Sequence, residues 1–259
     1  MAGRAKTGNV RPPKAALTFV LTALVLSVCA FSPASAQSPT SLVIGRSVQG
    51  RPIVASRYGS GETVVMVVGA IHGNEASSAA LARYLSESGV PSAFSLWVVE
   101  VANPDGFSAS KRTRGNARGV DLNRNFPNSW TSLKCPGRYC SGATPASEPE
   151  TAALMEFFKR VSPSMVVFYH SSMSPSVLDA SRKDVHDYGK VTKYASTAGI
   201  SVKTVSCGSP CTGNATEYVN KEIAGATAFV VELTCDGYKC LKSSVAARHV
   251  RAFWAAAAA

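Results

Sequence analysis

Thr63-Val64-Val65-Met66-Val67-Val68-Gly69-Ala70 runs directly into Ile71-His72-Gly73-Asn74-Glu75. A continuous apolar run rich in β-branched residues is a strand buried in the middle of a sheet. Residues 75–87 follow with apolar side chains at helical spacing and many alanines, and residues 94–101 form the next strand. Farther along, residues 165–169 are a strand ending at His170, 183–198 a helix, and 226–233 another buried strand. Residues 243–254 make a closing helix, with the five terminal alanines as its frayed end. Ser147 opens a further helix whose first turn holds Glu148 and Glu150, where acids suit the helix dipole. This alternation predicts an α/β fold: one domain with a mixed, mostly parallel central sheet flanked by helices. The polar stretch 103–149, rich in Gly, Pro, Asn and Arg, has little regular pattern, and a loop this long is usually functional.

Open α/β sheets bind ligands beyond the carboxyl ends of their strands. His72 and Glu75 follow the first central strand, His170 follows a second, and Glu232 lies near the end of a third. A histidine and a carboxylate three residues apart can bend onto one ion, and a distant histidine completes a His₂Glu set. A fourth position stays open for water, as a catalytic zinc requires. The spacing alone is weak, because a histidine after a strand is more often a satisfied core or loop residue.

The intervening residues strengthen the case. Asn103-Pro104-Asp105-Gly106 is followed by Arg114-Gly115-Asn116, and then by residues 119–127, G-V-D-L-N-R-N-F-P. With H-x-x-E before them, and strands ending in His-Ser and V-E-L after them, this ordered set resembles the carboxypeptidase A family of zinc metallocarboxypeptidases. The resemblance covers about residues 44–233. It implies one Zn²⁺ held by His72, Glu75 and His170, with Glu232 as general base. It also implies Arg114 as the arginine that steadies the oxyanion, and Asn123 and Arg124 as the grip on a substrate's terminal carboxylate. These roles suit the residue types: zinc activates water and polarises a carbonyl, a carboxylate shuttles the proton, and arginine pairs bidentately with carboxylates. Asp105 and Asp121 are expected to hold loops or support ligands, with Asp105 the better candidate to orient His72.

Two departures bear on substrate. Where family members place a mobile tyrosine, residues 205–212 read V-S-C-G-S-P-C-T, and position 74 holds asparagine where many digestive members carry arginine. Ala215 matches the base of the side-chain pocket, with Glu217 near enough in sequence to reach in. Between Gln37 and the first strand, near Leu42, there is no room for a pro-domain. The short domain, and an opening of the kind at residues 44–53, are similar to compact bacterial relatives such as murein peptide amidases. The resemblance therefore implies a hydrolase cutting beside a free C-terminal carboxylate, with the γ-D-glutamyl–diaminopimelate bond of peptidoglycan stem peptides favoured. A deacylase of the aspartoacylase or desuccinylase type shares H-G-N-E but not the full N-P-D-G plus N-R-N-F-P set. A catalytically silent peptide- or wall-binding module would be expected to lack Glu232 or a ligand. His186 and His249 have no carboxylate partner at ligand spacing, and Asn214-Ala215-Thr216 is a sequon of use only in a glycosylating host.

Arg4, Lys6, Arg11 and Lys14 precede an uncharged apolar run at 15–31, and Ala34-Ser35-Ala36 is a small-residue cleavage site. Residues 1–36 are accordingly expected to be a secretory signal and 37–259 the catalytic domain, exported to the periplasm, the cell wall or the medium. After signal removal no stable membrane association is expected. The formal charge of +11 falls to +7 without the leader's four cations, which suits anionic surroundings. No basic stripe with interleaved aromatics appears, which argues against a nucleic-acid partner. The leader also takes Cys29, leaving Cys135, Cys140, Cys207, Cys211, Cys235 and Cys240. An even set in an exported chain predicts disulfides, and close spacing favours the three local pairs among fifteen pairings.

Overall fold

The computed structural model describes residues 1–3, 39–171, 176–179, 185–204, 212–234 and 241–259. By contacts the chain parts into Met1–Ala36 and Gln37–Ala259, and the second unit carries all that follows. Its strands are β1 (Thr40–Arg46), β2 (Pro52–Tyr58), β3 (Thr63–Val68), β4 (Phe94–Val99), β5 (Met165–Ser171), β6 (Ser176–Asp179), β7 (Ser201–Thr204) and β8 (Thr227–Leu233). Its helices are α1 (Ala76–Glu87), α2 (Pro104–Ser108), α3 (Pro149–Val161), α4 (Tyr188–Ala198), α5 (Ala215–Glu222) and α6 (Ser243–Ala257), with a 3-10 turn at Leu122–Arg124. The strands form one sheet in the order β1-β2-β4-β3-β5-β8-β6-β7. β4, β3, β5 and β8 run parallel, while β2 and β6 join either side of that block antiparallel. This is the expected mixed, mostly parallel sheet.

Side-chain alternation sorts the central strands onto two cores. Val65 and Val67 of β3 and Tyr169 of β5 pack with Leu81 and Leu85 of α1, Tyr194 of α4 and Phe253 of α6. Met66, Val68 and Phe168 face the other way, onto Phe157 and Phe158 of α3 and Tyr218 and Val219 of α5. The even-numbered face of β5 and β8 continues into His170 and Glu232, which are register partners on adjacent strands. Both side chains therefore emerge together at the carboxyl end of the sheet.

The helix ends match local chemistry. Asn214 caps α5, its Oδ1 accepting from Glu217 N at 2.8 Å, and Asp187 caps α4 through Gly189 N. The terminal alanines are not frayed, contrary to expectation. α6 continues through them to Ala257, and Ala256 and Ala257 are buried, because methyl-sized side chains let the last turn pack closely. The helix expected over 183–198 begins only at Tyr188, behind its Asp187 cap. Among the described residues no helix is long and apolar enough to cross a membrane.

Candidate metal centre

His72 and Glu75 lie in the short segment between β3 and α1, and His170 is the penultimate residue of β5. Gly73 is required there, because a Cβ would stand 2.2 Å from the carbonyl carbon of Gly106, so this segment presses directly on α2. One donor atom from each of His72, Glu75 and His170 lies within 4.8 Å of the others, and all three residues are buried. His72 Nδ1 is 2.7 Å from Glu75 Oε1, His170 Nδ1 is 3.0 Å from Glu75 Oε2, and the two Nδ1 atoms are 3.1 Å apart.

That convergence tests the fit to a metal. Asp121 Oδ1 lies 2.9 Å from His72 Nε2, and with Asp121 accepting the Nε2 proton the Nδ1 lone pair would face Glu75 and a metal. Lone pairs on two imidazoles and a carboxylate meeting at one buried point repel unless a cation lies between them. Burial works against charge on His72, but the Glu75 and Asp121 carboxylates outweigh it and raise its pKa. Burial would likewise raise the Glu75 carboxyl, yet His72 and His170 hold it well below the usual carboxylate range. The donor set of two imidazole nitrogens and a carboxylate is the kind that binds zinc.

The other sequence candidates gather around these three. Burial pushes the Glu232 carboxyl up, with His170 opposing and Glu75 reinforcing, and its Oε2 is buried without a hydrogen-bond partner. Arg114 donates from Nε to Asp121 Oδ2 at 2.9 Å, and its Nη1 stands 3.6 Å from Glu75. Asn123 Oδ1 accepts from Ala215 N at 2.9 Å, which leaves its Nδ2 as the group able to donate to a ligand. Arg124 is buried; its Nη1 donates to the Asn123 carbonyl at 2.6 Å, and its Nε has no partner.

Some expectations need correction. Asp121, not Asp105, contacts His72. Asp105 turns toward the β1–β2 hairpin, accepting from Ser47 Oγ at 2.8 Å and Gln49 N at 3.0 Å and pairing with Arg51 at 2.6 Å. Glu217 is engaged by Ser129 Oγ at 2.6 Å and Lys221 Nζ at 2.7 Å. Asn214 is a buried cap, so its amide is not presented as a glycan acceptor. As expected, the other two histidines stay out of the metal-ligand cluster: His249 is a core histidine whose Nδ1 is 2.9 Å from the Tyr194 hydroxyl, and His186 is exposed. Asn116 is more than a motif residue. Its Nδ2 donates to Glu148 at 2.7 Å and Glu150 at 3.1 Å, while its Oδ1 accepts from the Arg118 and Val120 amides. It thereby shapes the loop that carries Arg114 and Asp121. The Cys135–Cys140 disulfide is formed; the 207–211 and 235–240 pairs lie outside the described residues.

A family model for zinc carboxypeptidases (peptidase M14) matches residues 34–245, and the chain belongs to that family. Murein peptide amidase A of Escherichia coli (strain K12) is 35% identical over 144 residues, covering 50% of this chain and 58% of that protein. The metallocarboxypeptidase A-like protein of Trichophyton verrucosum is 28% identical over 256 residues, covering 80% of this chain and 60% of that one. The chain thus spans less than two thirds of the length of either relative. Among solved structures, the murein-tripeptide amidase from Escherichia coli O157 superposes with a TM-score of 0.64 at 24% identity, covering 85% of this chain and 94% of that one. Bovine thrombin-activatable fibrinolysis inhibitor, solved with tick carboxypeptidase inhibitor, gives 0.75 at 19% identity over 85% and 89%. Both likenesses bear on the fold.

Proposed function

We propose that this chain is an exported, zinc-dependent metallocarboxypeptidase that hydrolyses the amide bond beside a free carboxylate. Its substrate in this reading is a bacterial wall stem peptide, cut at the γ-D-glutamyl–diaminopimelate bond. The observation that carries the reading is the meeting of the His72, Glu75 and His170 donor atoms at one buried point, with Glu232, the register partner of His170, holding an unpartnered buried oxygen. His72, Glu75 and His170 would hold the zinc, which when bound supplies a Lewis acid for activating water and polarising the scissile carbonyl. Glu232 accepts a proton from the attacking water and returns it to the departing amine. Arg124, through its guanidinium, and Asn123, through Nδ2, receive the terminal carboxylate. Arg114 places positive charge beside Glu75, where oxyanion charge develops.

The wall-peptide substrate is supported by the likeness to murein peptide amidase A and by the basic charge of the chain. It does not draw on Glu217, which Ser129 and Lys221 already occupy. Purified protein incubated with a stem tripeptide, and with peptides ending in Leu, Phe, Lys or Arg, tests the reading. Release of diaminopimelate far faster than any ordinary residue is expected. Rapid release of Leu or Lys with the tripeptide intact would rule out the wall substrate.

A further inference from the structure

Tyr139 belongs to the loop that the Cys135–Cys140 disulfide closes. Its ring meets three guanidinium groups, with the Cζ of Arg124 at 5.3 Å, Arg114 at 5.4 Å and Arg138 at 5.5 Å from the centroid. All three fall within the roughly 6 Å over which a ring face attracts a cation. One of them, Arg114, stands 3.6 Å from Glu75, and another, Arg124, is the expected grip on the substrate carboxylate.

These two arginines are held very differently. Arg114 is tied by Nε and Nη2 to Asp121, at 2.9 and 2.8 Å. Arg124 has one hydrogen bond, to the neighbouring Asn123 carbonyl, and a buried Nε with none. The orientation of its guanidinium therefore depends on the ring it lies over. That ring is anchored to the same loop system. The Cys140 carbonyl accepts from Asp121 N at 2.8 Å, and the Ser141 carbonyl accepts from Asn125 Nδ2 at 2.8 Å. The disulfide loop is thus stitched to residues on both sides of Asn123 and Arg124, and Cys140 is fully buried while Tyr139 is only half-buried.

We propose that Tyr139 is a positioning residue that sets specificity: its ring face orients Arg124 beside Arg114 to receive the substrate carboxylate, and the Cys135–Cys140 bridge keeps the ring in place. The assignment rests on the reading that Arg124 grips that carboxylate. It predicts that the ring face, not the hydroxyl, matters.

The test compares Tyr139→Phe and Tyr139→Ala on a peptide and on its C-terminal amide, and records the side-chain Nε–H resonance of Arg124 by NMR in the full chain. Tyr139→Ala should raise KM for the free acid about tenfold with kcat little changed, while Tyr139→Phe stays within about twofold of the parent. The amide, which offers no carboxylate, should respond to neither variant. A structural role alone would lower kcat on both substrates and would not be rescued by Phe. The ring current on Arg124 reports the contact whether or not anything is cleaved. If only the substrate reading is wrong, the resonance is still shifted in the parent and in Tyr139→Phe, and returns to an ordinary position in Tyr139→Ala. An Arg124 resonance and a free-acid KM indifferent to Tyr139→Ala, or a Tyr139→Phe variant as impaired as Tyr139→Ala, would overturn the proposal.

Discussion

Asp121 joins three parts of the site through one buried carboxylate: His72 Nε2 and the Asn123 amide on Oδ1, and Arg114 on Oδ2. Burial would raise its pKa, but His72 and then Arg114 and Arg124 hold it well below the usual range, so it stays ionised. A carboxylate on the far nitrogen of a ligand histidine fixes the ring and makes it a better donor. Asp121→Asn should therefore weaken zinc binding by about 10–100-fold in competition with a fluorescent chelator. Asp105→Asn, at the hairpin, should leave zinc affinity alone and cost about 1–3 kcal/mol of stability through its lost charged hydrogen bonds. Equal zinc losses in both variants would refute that division. Glu232→Gln should lower turnover by about 10²–10⁴-fold while zinc stays bound. Loss of zinc with it would make Glu232 a ligand instead.

At the scale of elements, α6 packs a titratable group in the core. Burial, then Arg248, lower the pKa of His249 to about 4 from an ordinary 6.5. The unfolded chain binds a proton near pH 6.5 and the folded one only near 4, so stability from keeping His249 neutral is complete above 6.5. It falls as pH drops, reaching its limit near pH 4 after a loss of at most about 3 kcal/mol. Urea unfolding from pH 7 to pH 4 should show that slope, and His249→Gln should flatten it; an unchanged slope would place the linkage elsewhere. The same elements explain what could be read beforehand. β3, β5 and β8 are buried on both faces, so their sequences are near-continuous apolar runs, and His72, Glu75, His170 and Glu232 stand at or just beyond their ends. β1, by contrast, is an edge strand exposed along most of its length, so the sequence marked it only as a strand near Leu42, without its bounds. The choice between Asp105 and Asp121 was not legible. Both sit in one long loop, and the close approach of Gly73 to Gly106, with Asp105 turned to Ser47, is a tertiary matter. Tyr139 gave no local sign, because its partners lie 15 and 25 positions earlier, at Arg124 and Arg114.

Taken whole, the unit Gln37–Ala259 gathers residues from the β3–α1 segment, the long loop and two strand ends into one site. The leader expected at residues 1–36 is a matter for the expressed protein. Mass spectrometry of the non-reduced chain from an exporting host should show Gln37 as the first residue, six cysteines in three local disulfides, and no free thiol. Retention of Met1 would point to an anchor. The central claim is that His72, Glu75 and His170 hold a zinc ion on which hydrolysis depends, and it is tested most directly by metal removal and return. Treating the purified protein with phenanthroline should abolish cleavage of the stem tripeptide, and dialysis into zinc should restore it with one ion per chain by elemental analysis. Full activity in protein shown to contain no metal would contradict the account.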